Sequence, residues 1–214
     1  MFRLSMTGLA LVAALAAIPG CNFFRPAQPQ PFTAAPFLPD YRDPNATLQT
    51  IADGLRDKAR TIGITAYAGA FAESTSATTP AYHHFFWPDD VFNWSSANGG
   101  RSAPDWDFRL EQNFYIKFVN LRGAAYGLQW SEDVLHPDDV RDNQASVHRH
   151  YLLTTETEDG TITDTLAVGY ADLTFIRSPA ASWRITRWDD RIDPNAGPNN
   201  PEAVTLGRQR LGTQ

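Results

Sequence analysis

The chain has a single cysteine, Cys21. One thiol excludes an internal disulfide and a thiolate metal cluster. There is no run of Lys and Arg, and the formal net charge is −6. A net acidic chain is repelled by phosphate backbones, so nucleic acid is not an expected partner. No apolar run reaches the ~20 residues that a spanning helix requires. The sequence also lacks a glycine-rich phosphate loop, a Gly-x-Ser-x-Gly elbow and a helical His-Glu-x-x-His pair. These absences disfavour nucleotide cofactors, hydrolase triads, thiol chemistry and a metal centre, and no cofactor is expected. No internal repeat of useful length is present.

What is present is ordinary globular composition. Over 214 residues, 43% are hydrophobic and 20% charged, which fits one domain plus extensions. Six Trp and thirteen Phe supply bulk for a core or an aromatic-lined pocket.

The first twenty residues read as a leader. Arg3 gives a basic start, and Gly8 to Ile18 is an apolar run of eleven residues. That length suits the apolar region of an export signal. The run ends in Ile18-Pro19-Gly20-Cys21. This resembles the lipobox of bacterial lipoproteins, with Pro19 in place of the usual small residue. The resemblance implies cleavage before Cys21 and acylation of its sulfur and amine. The expected partner is then a lipid bilayer, and the expected location is the bacterial cell envelope as an exported, anchored lipoprotein. Residues 21–43 follow as the lipidated Cys and a tether, since six prolines lie between 22 and 44.

Residues 44–192 carry the periodic patterns of a folded domain, and 193–214 read as a mostly irregular tail whose stretch Val204–Leu211 forms a short strand or turn. Asp43-Pro44-Asn45 marks a helix start with Asn45 as cap. Leu48, Ile51, Ala52, Leu55, Ala59 and Ile62 then trace one helical face. Gly54 and Gly63 leave one long helix or two meeting near residues 60–63 equally open. Tyr82 to Asp90 predicts a strand ended by Pro88. A loop rich in Ser, Asn and Gly follows. Pro104 to Leu121 returns to helical spacing, with Asp105 as cap. Ala125–Glu132, Ala145–Glu156, Ile162–Ile176 and Ser182–Ile192 are β-rich, and Asp159-Gly160 predicts a hairpin. Neighbours in sequence, they are expected to form an antiparallel meander.

This order resembles the NTF2-like (SnoaL-like) superfamily. The carrying residues are Ala66–Phe71, Phe85-Phe86-Trp87-Pro88-Asp89-Asp90 and Trp183-Arg184-Ile185-Thr186-Arg187-Trp188-Asp189-Asp190. The resemblance implies an α+β cone, a curved antiparallel sheet wrapped by N-terminal helices and one mid-chain helix around a cavity. Trp87, Tyr67, Phe71, Trp188 and Asp189 are then expected at the cavity or its mouth.

Alternation selects the candidate chemistry. His148 and His150 share one strand face, and Tyr170 and Asp172 share one on the next strand. Adjacent His83 and His84 point to opposite faces, so one of them, His84 being the candidate, enters the cavity. Such a His/Asp/Tyr set could work as general acid and base. Three functions stay open. The first is a non-catalytic module that binds an apolar small molecule or an envelope protein. The second is a small isomerase, dehydratase or cyclase. The third is a structural subunit of an envelope complex, dimerising through its sheet.

Overall fold

The computed structural model describes residues 38–57, 62–73, 80–122, 125–157, 161–194 and 204–214. The leader, Cys21, the tether up to residue 37 and the Asp159-Gly160 turn lie outside the described residues.

Helix α1 is Pro44–Arg56. Its cap is Asp43, whose carboxylate accepts from Ala46 N at 2.8 Å, and not Asn45 as the sequence predicts. The reason is Pro44: its fixed φ and missing N–H suit the first helical position, which moves the cap one residue upstream. Asn45 instead accepts from Arg149 Nη2 at 2.8 Å. Thr47, Leu48, Ile51, Ala52 and Leu55 form the buried face. Helix α2 is Gly63–Gly69, so the N-terminal helical pattern is two elements. The two meet closely, and a Cβ at Gly63 would lie 2.9 Å from the Gly54 carbonyl oxygen.

Strand β1 is only His83–Phe85. The predicted strand stops early because Pro88 opens helix α3, Pro88–Ala97, with Asp89 and Asp90 in its first turn. The expected Ser/Asn/Gly loop is thus partly helical. Trp106–Asp107 forms strand β2, and helix α4 runs Phe108–Arg122. Asp107, not Asp105, caps α4 by accepting from Leu110 N at 2.9 Å.

Strand β3 is Ala125–Glu132, β4 is Asp139–Val140, β5 is Gln144–Glu156, β6 is Ile162–Arg177 and β7 is Trp183–Ile192. The sheet order is β2-β1-β7-β6-β5-β3, with β4 on β5. The predicted meander β3-β5-β6-β7 is antiparallel throughout, while β1 joins β7 in parallel. Register shifts near Leu153/Thr154 and Thr174/Phe175 bend the long strands. This is the expected α+β architecture, an unclosed curved sheet with helices on its inner side.

The tail ends in a helix, α5, Leu206–Leu211, where a strand or turn was expected. Thr205 caps it by accepting from Arg208 N at 3.2 Å. Helix α5 lies against β6, anchored by Val168 N donating to the Val204 carbonyl at 2.9 Å and Gln209 Nε2 to that of Leu166 at 2.6 Å.

The inner face is filled by large rings. Trp106, Trp188, Tyr67, Tyr82, Tyr126, Tyr151, Phe114 and Phe175 are fully buried. Burial on this scale supplies most of the fold's stability at ~25 cal/mol per Å² of apolar surface.

Candidate functional site

Alternation on the central strands separates two polar groups, one on each face of the sheet.

The outer face holds four of the predicted residues together. His148 and Asp172 are direct cross-strand partners, with Nδ1 and Oδ1 2.7 Å apart. His150 faces Tyr170, ring centroids 5.0 Å apart, and its Nε2 lies 3.2 Å from Asp193 Oδ2. Arg191 Nη2 donates to Asp172 Oδ1 at 2.8 Å. Burial raises the Asp172 pKa, but bonds from Arg191 and His148 outweigh it, and the carboxyl sits below its usual range. These side chains are half-buried and open to solvent. Asp189 is also outward, held by Arg187 through bonds of 2.6 and 2.7 Å. His83 pairs at the surface with Asp105.

The inner face holds a second polar group among the rings. Its centre is Glu111, buried on α4. Tyr67 OH and Trp106 Nε1 each donate to it at 2.6 Å, and Tyr82 OH at 3.3 Å. Arg210 of α5 enters beside them. Its Nη2 donates to Oε1 at 2.8 Å and its Nε to Oε2 at 2.9 Å. The guanidinium carbon lies 4.3 Å from the Trp188 ring centroid.

Asp190, two residues beyond Trp188, is the second interior carboxylate. Trp188 Nε1 donates to it at 2.8 Å, Tyr151 OH at 3.2 Å, and the Gly207 backbone N–H closes its other oxygen. His84 Nε2 lies 3.4 Å and Arg210 Nη1 3.8 Å from that oxygen. Burial pushes the Asp190 pKa up to about 6, against the opposing pull of Arg210. Burial, then Arg210, pushes His84 well below the ordinary imidazole range. Burial pushes the Tyr151 hydroxyl well up.

Tyr67, Phe71 and Trp188 thus lie in the packed interior, with His84 beside them. Trp87 is half-buried just before α3. Two large clefts, about 760 and 800 Å³, open at the surface, and neither is lined by Glu111, Asp190, Trp188 or Arg210. Among the described residues no His/Cys/Asp/Glu group has the makings of a metal site, and no helix is long and apolar enough to cross a membrane.

Sequence reasoning selects Asp189 and passes over its neighbour. The signal for Asp190 was available: it alternates in phase with Trp188, and a Trp on that strand faces inward. Glu111 could have been found by its place three residues before Phe114 on the apolar stripe. Nothing local marks Arg210.

Gly207 sets how closely α5 can approach. A Cβ there would sit 2.8 Å from Asp190 Oδ2, 3.0 Å from Phe86 Cδ1 and 3.1 Å from His84 Nε2. Two of these belong to the packed interior, so the helix must shift outward. Gly207→Ala is expected to cost ~1–3 kcal/mol, the usual range for overpacking. Urea unfolding midpoints would show it, and an unchanged midpoint would contradict the docking described.

No family model matches the sequence, and no curated protein matches it. Solved structures do match. A protein of unknown function from Mycobacterium tuberculosis is 13% identical, with 79% of this chain and 85% of that one covered at a TM-score of 0.51. The likeness is one of fold. An NTF2-like protein with a cystatin-like fold from Novosphingobium aromaticivorans is 11% identical, covering 88% and 90% at a TM-score of 0.47. The ActVI-ORFA protein of Streptomyces coelicolor is 11% identical, covering 70% and 97% at 0.45.

Proposed function

We propose that the chain is an exported lipoprotein of the bacterial cell envelope whose α+β domain binds a partner or ligand without catalysing a reaction. One observation carries the non-catalytic reading. Both interior carboxylates are already engaged by the chain's own donors: five donor groups of Tyr67, Tyr82, Trp106 and Arg210 on Glu111, and those of Trp188, Tyr151 and Gly207 on Asp190. A general base needs a lone pair facing a reacting atom, and these face other side chains. The polar set His148, His150, Tyr170 and Asp172 stands on an open face, where water competes with any substrate contact.

The anchor reading is supported by the single Cys placed three residues after the end of an eleven-residue apolar run. Each buried acyl CH₂ contributes ~0.8 kcal/mol, so several chains on one residue hold a domain stably. In a bacterial host, the full chain is expected in the membrane fraction. Mass spectrometry should find residues 1–20 gone and acyl chains on Cys21. Cys21→Ser should leave the membrane fraction or keep its leader. An intact Met1 on the wild-type protein, or a free thiol, would end this reading.

A second reading, acid/base catalysis, draws on a different observation. Asp190, with its pKa near 6, lies against His84 and Tyr151, which is a proton-transfer set. It requires helix α5 to withdraw. Loss of any turnover in Asp190→Asn, with folding kept, would favour it over pure binding.

A further inference from the structure

The interior of the cone is built to hold a guanidinium. Glu111 presents both oxygens to the planar fork of Arg210, taking Nη2 at 2.8 Å and Nε at 2.9 Å. This two-point geometry fits a guanidinium and not a rounded ammonium. The Trp188 ring lies 4.3 Å and the Phe114 ring 5.6 Å from the guanidinium carbon, so π faces complete the cage. Asp190 supplies a second carboxylate 3.8 Å from Nη1.

The cation in this cage does not come from the sheet or the helices that form it. It comes from α5, a helix of six residues near the end of the chain. The cage walls come from α2, β1, β2, α4 and β7, and they are assembled by the meander and its covering helices. The fit is also incomplete around Asp190. Arg210 Nη1 and both ring nitrogens of His84 are buried with no hydrogen-bond partner among the described residues. Buried polar atoms left open in this way are costly, and the acceptor nitrogen of neutral His84 is one that a guanidinium N–H can meet.

We propose that this cage is a binding site for a guanidinium group, with Arg210 as its built-in occupant and α5 as the segment a ligand displaces. The ligand class is an alkylguanidinium, carried by a small molecule or by an arginine of a peptide. This names the ligand chemistry for the binding function proposed above. The two fail separately, since the Cys21 experiment reads only the anchor.

The test is chemical rescue in the full-length protein. Arg210→Ala removes the occupant and leaves the cage. Millimolar ethylguanidinium should raise the Tm of this variant saturably, by ~5–10 °C at a hundred times Kd. The same additive should leave Glu111→Gln/Arg210→Ala unmoved, and ethylammonium should rescue neither. If Arg210→Ala does not fold alone, its refolding yield with and without ethylguanidinium reads the same site.

A labelled peptide of the sequence Thr-Leu-Gly-Arg-Gln-Arg-Leu separates the two sources. Tighter peptide binding to Gly207→Ala than to wild type assigns a peptide ligand. Rescue by ethylguanidinium without peptide binding assigns a small molecule. The proposal is overturned if Arg210→Ala shows no saturable shift and no gain in refolding, if ethylammonium matches ethylguanidinium, or if the double variant responds equally.

Discussion

Glu111→Gln should destabilise the protein by ~3–5 kcal/mol, the range found when one partner of a buried ion pair is removed. Glu111 is 1% exposed and Arg210 is fully buried. The substitution leaves the guanidinium in the core with only Asp190, 3.8 Å away, to balance it. The new amide also turns an NH₂ toward donors that need an acceptor. Tyr67, Tyr82 and Trp106 all aim hydrogens at this group, so at least one is left unsatisfied.

The double variant Glu111→Gln/Arg210→Met should recover a large part of the loss. It deletes the stranded charge and keeps an unbranched apolar stem under Trp188. Buried pairs replaced by apolar residues of similar volume are often neutral for stability. Urea midpoints of the wild type, Glu111→Gln, Arg210→Met and the double variant give the coupling directly. Additive losses would mean that Glu111 and Arg210 do not act as a pair.

The second large effect is a tilt in the pH dependence of stability. Asp190 has a folded pKa of about 6 against an ordinary value of 3.8. Between these values the native state holds a proton that the unfolded chain has lost. Its contribution to stability is therefore full below about pH 4 and declines by ~3 kcal/mol as pH rises to about 6. His84 has the opposite sign. Its folded pKa is pushed well below 6.5, so the unfolded chain binds a proton that the native state does not. Its contribution is full above 6.5 and is lost as pH falls.

The two slopes oppose each other over about pH 4 to 6. Arg210 stays charged in this window and Tyr151 stays protonated, so neither disturbs the balance. The outer carboxylates Asp133, Asp138 and Asp172 are held below their usual range and are common to every variant. Relative to wild type, Asp190→Asn should become more stable as pH rises from 4 to 6, and His84→Gln less stable. Chemical unfolding at four pH values measures both. Parallel profiles for the three proteins would show that Asp190 and His84 titrate normally.

The meander was legible because its cause is local. β5 and β6 alternate over most of their length, and their neighbours in sequence become neighbours in the sheet. Alternation put His148 with His150 on one face and Tyr170 with Asp172 on one; the register of β5 against β6 then set His148 opposite Asp172 and His150 opposite Tyr170. It could not say that this face looks outward, because both faces of β5 carry polar residues, with Arg149 buried and His148 half-exposed. That depends on which side the helices cover.

Where a single residue decided a boundary, Pro44 and Pro88 ruled. Each sits at the first position of a helix; the sequence pattern places Pro44 in a helix start with the cap one residue too late, and marks Pro88 only as the end of a strand. Helix α5 was missed for a different reason. Six residues make too few turns for a period to show, and an isolated helix of that length is not stable in water. It exists because Leu206 and Arg210 find partners in the cone.

The chain's own order of residues thus determined the strands, their antiparallel succession and the class of the fold, since these follow from periodicity and short connections. Only the folded structure decided what fills the cone. Glu111, Asp190 and Arg210 are up to 99 positions apart along the chain. No local pattern brings a carboxylate and a guanidinium together over that separation, and each buried charge is tolerable only because the other two are there.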